Sequence, residues 1–275
     1  MRIATWNLLH ATPIIGAPAE PELSEQAKLI RADILGVQEV DRNQPRSNHQ
    51  HQLQDIATAL DLPHWIYVPT VIGTPGETWE PATDHSIHLP AQHSADVSET
   101  VTSTAHYGNG LASKYPLSDV EILRFKAAPI SLPLAVPGEK GWQMLKVADE
   151  PRVAILATVD SPIGKITVAT THLSFVPGVN AKQLRAITRA MQSRNQPAIL
   201  LGDFNLIGKI PARLTKWKQL AQLPTYPVVG PRIQFDHILG HGISETAIHF
   251  ARSRAQRLAL AVSDHCALVT ELDQI

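Results

Sequence analysis

The chain has 275 residues, with 24 lysines and arginines against 25 aspartates and glutamates and a single cysteine. Its length can bury a sizeable core, and 44% hydrophobic with 18% charged residues excludes a disordered, collagen-like or coiled-coil chain. A net charge of −1 supplies no global field to draw in a polyanion, and a lone Cys266 can form neither an internal disulfide nor a cysteine-based zinc site.

The opening residues, MRIATWNLLH, show no charged head followed by an apolar segment, and apolar stretches such as 154–159 are far shorter than a membrane span. A cytoplasmic protein without a transmembrane segment is expected, and nothing specifies an oligomer. In chain order, residues 2–8 suit a strand, and 21–32 a helix with Leu23, Ala27 and Ile30 on one face. Residues 34–40 form a nearly continuous apolar run, read as a buried strand that delivers Gln38 and Glu39 to an edge. A helix over 50–60 and a strand over 65–69 follow. From 70 to 106 there is no periodicity among the glycines, prolines and histidines, which predicts a long surface loop.

Residues 110–115, 119–126, 152–160 and 165–173 read as strands, and the proline- and glycine-punctuated stretch 127–150 reads as a second loop. A helix over 180–194 carries Leu184, Ile187 and Met191 on one side. Residues 197–206 (PAILLGDFNL from Pro197) are a buried strand ending in polar groups, 212–223 a weaker helix, and 234–239, 245–251 and 266–272 three further strands. About ten strands with helices between them predict an α/β domain spanning 1–275, with two sheets packed face to face, helices outside, and insertions near 70–106 and 127–150.

Polar residues gather where apolar strands end: Asn7, Gln38 to Asp41, Thr171-His172, Gly202 to Asn205, Asp236-His237 and Ser263 to His265. Carboxylate and amide oxygens suit Mg²⁺, with Mn²⁺ an alternative, while paired histidine and aspartate suit proton transfer and charge stabilisation. Metal-assisted hydrolysis of a phosphoester uses all of them.

The motifs TWN (5–7), QEVD (38–41), THL (171–173), GDFN (202–205), FDHIL (235–239) and SDH (263–265) together resemble the endonuclease/exonuclease/phosphatase superfamily, and YGNGLASKYPL (107–117) resembles its internal strand. The resemblance runs along nearly the whole chain. It implies a four-layered α/β sandwich of two mainly antiparallel sheets with the site at one end. It also implies Glu39 as principal metal ligand, with Asn7 close by and Asp264 reaching the same ion. Asp203 matches the residue that positions or deprotonates the attacking water, and Asn205 the one that holds a phosphate oxygen. His265 with Asp236 matches a phosphate-contacting pair, and His172 a second histidine that stabilises developing charge.

Asp41, Arg42 and Arg46 follow the glutamate and are candidates for substrate phosphate or a second ion, against the plainer reading of a charged loop. His237 faces away from Asp236 in a strand and is read as structural. His85, His88, His93 and His106 lack the spacing of a zinc site and are read as part of a loop bordering the pocket.

The expected activity is that of a phosphodiesterase or nuclease-like hydrolase; a sphingomyelinase-like enzyme and an inositol-phosphate phosphatase are the alternatives. A non-enzymatic module of the same fold would lack a ligand or base, and every expected position is occupied. The charge balance and 5% aromatic content make no case for long duplex DNA, so a small or single-stranded phosphoester is expected. A lipid phosphodiesterase would expose an apolar hairpin, at which only Trp79 and Trp142 hint.

Overall fold

The computed structural model describes residues 1–14, 21–83, 89, 104–138 and 141–275. Its strands are β1 (Arg2–Asn7), β2 (Ile34–Arg42), β3 (His64–Gly73), β4 (Trp79–Pro81), β5 (His106–Ser113), β6 (Leu117–Phe125), β7 (Ser131–Gly138), β8 (Gly141–Ala148), β9 (Arg152–Ser161), β10 (Gly164–His172), β11 (Ala198–Asp203), β12 (Lys218–Gln219), β13 (Asp236–His241), β14 (Gln256–Leu258) and β15 (Ala267–Glu271). The helices are α1 (Leu23–Lys28), α2 (Gln52–Ala59), α3 (Val179–Gln192), α4 (Ile210–Thr215) and α5 (Glu245–Arg254). None among the described residues is long and apolar enough to cross a membrane.

One sheet has seven strands in the order β14-β15-β1-β2-β5-β3-β4, the other six in the order β12-β13-β11-β10-β9-β6. Each contains one parallel pair, β1–β2 and β10–β11, and is otherwise antiparallel. The central strands are apolar on both faces, so their side chains divide by period two between different cores. On β11, Ile199 and Leu201 point between the sheets with Ile3, Ile34 and Val168, whereas Leu200 packs outward with Leu184, Ile187 and Met191 of α3. On β2, Leu35 and Val37 face outward toward Leu53 and Ile56 of α2. Helix, sheet, sheet, helix is therefore the layer order. At Gly36 the sheets approach so closely that a Cβ would clash with Thr170 of the facing sheet.

Four expectations change, the first being the helix over 212–223: α4 ends at Thr215, and Lys218–Gln219 form β12. Residues 127–150 contain the β7–β8 hairpin, which among the described residues pairs only with itself. Pro133 and Pro137 argue for a loop, but a two-stranded ribbon has only edge strands, where a missing N–H is tolerated. Residues 245–251 are the start of α5, capped by Ser244 Oγ, which accepts from Ala247 N at 3.2 Å, and seated on Ala247, Ile248 and Ala251; the serine cap followed by Glu245 is the signal that a strand reading overlooks. In the 70–106 insertion, β3 runs on to Gly73 and β4 returns against it. His85, His88 and His93 lie outside the described residues.

Candidate active site

In a parallel pair both strands end on the same side, so β1–β2 and β10–β11 each deliver two carboxyl ends to one end of the sandwich. Asn7 pairs with Gln38 at the end of the first, His172 with Asp203 at the end of the second. The pairing of β2 with β5 shifts between Val37 and Val40, and Glu39 adopts φ +57°. This bulge separates two neighbours: Gln38 stays buried between the sheets, bonded to Thr5 Oγ1 at 3.2 Å and Thr170 Oγ1 at 3.0 Å, while Glu39 turns to the sandwich end. Gly202, at φ +141°, backs onto the neighbouring strand so closely that a Cβ would lie 1.9 Å from Thr171 O. The glycine of GDFN is thus demanded by the turn of β11 into the site.

Asn7 joins the two halves. Its Nδ2 donates to Glu39 Oε1 at 2.9 Å and to Asp203 Oδ2 at 3.0 Å, and its Oδ1 accepts from Leu9 N at 3.1 Å. Asp203 Oδ1 accepts from Asn205 N at 2.9 Å in a tight turn, with Asn205 at φ +49°. The same Asn205 donates from Nδ2 to Leu173 O at 2.9 Å and to His172 Nε2 at 3.1 Å. An amide NH₂ only donates, which assigns the ring acceptor to Nε2 and the proton to Nδ1, on the side of Glu39 Oε1 3.8 Å away.

His265 and Asp236 form the third part. Asp236 Oδ2 lies 2.8 Å from His265 Nδ1, and His265 Nε2 lies 3.8 Å from Asp203 Oδ2. Ser263, at φ +77°, locks the segment by donating to Asn7 O at 2.6 Å and accepting from His265 N at 3.0 Å. Asp203, Asp236 and His265 lie close enough to hold one ion, their ligand atoms within 4.8 Å of one another. Asp264 stands beside them, its carbonyl bonded by Val228 N at 2.6 Å.

Burial and charge divide these groups by protonation. Burial, only partly offset by the His265 charge, pushes the Asp203 carboxyl up to about 6. Burial also raises Asp264, with the Glu39 charge adding to it. His265 would be depressed by burial, but Asp236, Asp203 and Asp264 outweigh that and lift it to about 10, so it is an imidazolium at neutral pH. His172 goes the other way: burial, then the charges of Arg152 and His265, hold it well below the ordinary histidine range and neutral. Two histidines in one site therefore carry different charges.

All of Asn7, Glu39, His172, Asp203, Asn205, Asp236, Asp264 and His265 come together. The three further candidates separate. Asp41 is fully buried beneath Arg46, which bonds it through Nε and Nη2, both at 2.8 Å. Arg42 bonds His106 Nδ1 at 3.2 Å. Arg46 is the most exposed of the three, its guanidinium 5.6 Å above the Tyr107 ring. His237 is structural, stacked on Phe204 and bonded to Leu206 O at 2.7 Å.

Sequence reasoning missed Tyr107, a buried phenol that feels the Glu39 charge, Glu150, which feels the same charge, and Arg152, whose charge acts on His172. These lie at or just before the starts of β5 and β9. In antiparallel neighbours of β2 and β10, strand starts lie at the same end as the functional strand ends, so looking only where strands finish passes them over. The tyrosine opening YGNG was the available signal.

The donor set fits a hard divalent cation: Glu39 and Asp264 offer carboxylate oxygens close enough for their charges to act on each other, with the Asn7 amide beside Glu39. By sequence, no curated protein matches. The fold is that of several solved structures: an endonuclease/exonuclease/phosphatase from Beutenbergia cavernae (21% identity, TM-score 0.57, covering 98% of this chain and 70% of that one), a mannosyl-6-phosphatase from Bacteroides thetaiotaomicron (17%, 0.55, 99% of each), and a beta toxin variant from Staphylococcus aureus with bound magnesium ions (12%, 0.53, 99% of each). The sequence pattern of the Endonuclease/Exonuclease/phosphatase family, whose members are hydrolases that act on phosphoesters with divalent metals, matches residues 4–265. The chain belongs to the Endonuclease/Exonuclease/phosphatase family.

Proposed function

We propose that the chain is one catalytic domain that hydrolyses a phosphodiester, with Mg²⁺ or Mn²⁺ as cofactor. The observation that carries this reading is the placement of Asp203 between Asn7 and His265, with Oδ1 held by Asn205 N in a tight turn and Oδ2 held by Asn7 Nδ2. A carboxyl at about 6 is poised to take a proton near neutral pH. Water forms a new P–O bond, Asp203 accepts its proton, and the ester P–O bond breaks with its electron pair leaving on the alkoxide, which takes a proton from solvent. The His265 cation, oriented by Asp236, donates from Nε2 to a phosphoryl oxygen, and neutral His172, its ring held by Asn205, supplies a further N–H from Nδ1. Glu39, Asp264 and Asn7 would hold the metal, which supplies charge neutralisation to the anionic ester.

The test is turnover of bis-para-nitrophenyl phosphate with Mg²⁺ or Mn²⁺, beside para-nitrophenyl phosphate, single-stranded DNA and RNA, inositol phosphates and sphingomyelin vesicles. Asp203→Ala and His265→Ala should each abolish metal-dependent turnover with an unchanged circular dichroism spectrum; retained activity in both overturns the reading. Sphingomyelin belongs in the panel because the β7–β8 hairpin exposes Met144 (65%) and Leu145 (49%) to solvent.

A further inference from the structure

The chain as a whole is charge-balanced, but its balance is not local. Between Asp160 and Asp203 there is no acidic residue at all, and α3 lies in the middle of that span. Lys182, Arg185 and Arg189 occupy the exposed face of α3 at i, i+3 and i+7, while Leu184, Ile187 and Met191 take the buried one. Against the first turns of α3 lies a groove of about 380 Å³ lined by Lys126, Lys182, Gln183, Phe125, Val179 and Ala186. Lys126 is exposed on one wall, and Phe125 is only partly covered by the core beneath it. None of Lys126, Lys182, Arg185 and Arg189 is paired with a carboxylate among the described residues.

The groove is tied to the catalytic end. Asn180 Nδ2 bonds Asn205 O at 3.1 Å, and Gln183 Oε1, a groove residue, accepts from Ser174 N at 2.9 Å, two residues after His172. The cationic face thus begins one helical turn from Asn205 and runs away from it. Lys182 to Arg189 covers roughly 10 Å along the helix, the rise of about three nucleotides of one strand.

We propose that this groove and the cationic face of α3 hold the backbone of a single-stranded nucleic acid as it leaves the active site. Cations that track phosphates and a partly exposed aromatic on which a base can stack are the two components of sequence-tolerant single-strand binding. A duplex has no unstacked base to offer Phe125. The proposal rests on the phosphodiesterase reading for the site to which the strand leads, but binding can be read without turnover.

The variant Lys182→Gln/Arg185→Gln/Arg189→Gln alters only exposed side chains. In fluorescence anisotropy at several salt concentrations, Asp203→Asn protein should bind a labelled single-stranded twelve-nucleotide oligomer. Adding the three glutamines should weaken binding at least tenfold and reduce the slope of log affinity against log salt by about 2, close to 0.7 per lost phosphate contact. In otherwise wild-type protein the same three changes should raise KM for the oligomer and leave bis-para-nitrophenyl phosphate hydrolysis unchanged. Unchanged affinity and slope overturn the proposal, as does tighter binding of a duplex of equal length or an equal loss of activity on both substrates. Binding that follows the glutamines in protein without any turnover sustains this inference and sinks the hydrolase reading instead.

Discussion

The parallel pairs β1–β2 and β10–β11 sit in opposite sheets and end at the same place, and they hold their functional groups in different ways. In the first, a bulge at Glu39 releases the carboxylate from the ladder, leaves its side chain 18% exposed, and surrounds it with partners that can bond a carboxylate, Asn7 and Tyr107. In the second, β11 runs in register to its last residue, and Asp203 is buried, held by a turn, and shifted by desolvation. A half-buried carboxylate turned to the sandwich end suits a cation; a buried, shifted one suits a proton. Similar strand ends thus serve two chemistries because only one of them leaves the ladder.

The largest effect should come from Asp203→Asn, which keeps the shape and removes the proton acceptor: kcat should fall by about 10³-fold, and no concentration of Mg²⁺ should restore it. Glu39→Gln should differ in kind, raising the Mg²⁺ concentration for half-maximal rate about tenfold or more while activity recovers at saturation. Metal titrations of the two variants that cannot be told apart would erase the contrast.

Gly202→Ala tests the regular end of β11. With φ at +141° and the Thr171 carbonyl in the way, the variant should lose at least about 3 kcal/mol of stability in urea melts. An alanine tolerated without loss would mean that β11 can relax as β2 does.

His237, next along the same half, gives a pH test. Burial pushes its folded value down to about 4, whereas the unfolded chain takes up the proton near 6.5. The neutral ring therefore supports the fold fully above pH 6.5, and stability is lost as pH falls from there toward 4, by about 3 kcal/mol. His237→Gln should flatten that part of the stability–pH curve, as followed by denaturation at pH 7 and pH 4.5.

The smallest effect belongs to Ser263→Ala. It removes the bonds to Asn7 O and His265 N that join the halves, and should cost about 1–2 kcal/mol with a modest fall in kcat.

How legible these features are in the sequence follows from how local they are. Apolar strands such as 34–40 and 197–203 announce themselves, and so do the polar groups that close them, because a strand end is a few consecutive residues. α5 and the β7–β8 hairpin are less legible: the first carries a weak apolar face, and the second contains prolines that only its edge position accommodates.

The sequence by itself determined the sandwich, the family, and which carboxylates, amides and histidines would meet, since each belongs to a short contiguous motif. Only the tertiary structure decided that Asp41 is the buried counterion of Arg46, that Tyr107, Glu150 and Arg152 reach the site from strand starts, and that His172 is neutral while His265 is charged. It also showed that the balance of 24 basic against 25 acidic residues conceals a cationic helix face beside the site. Charge state and surface field depend on distance and burial, and these arise only when residues far apart in the chain are packed together.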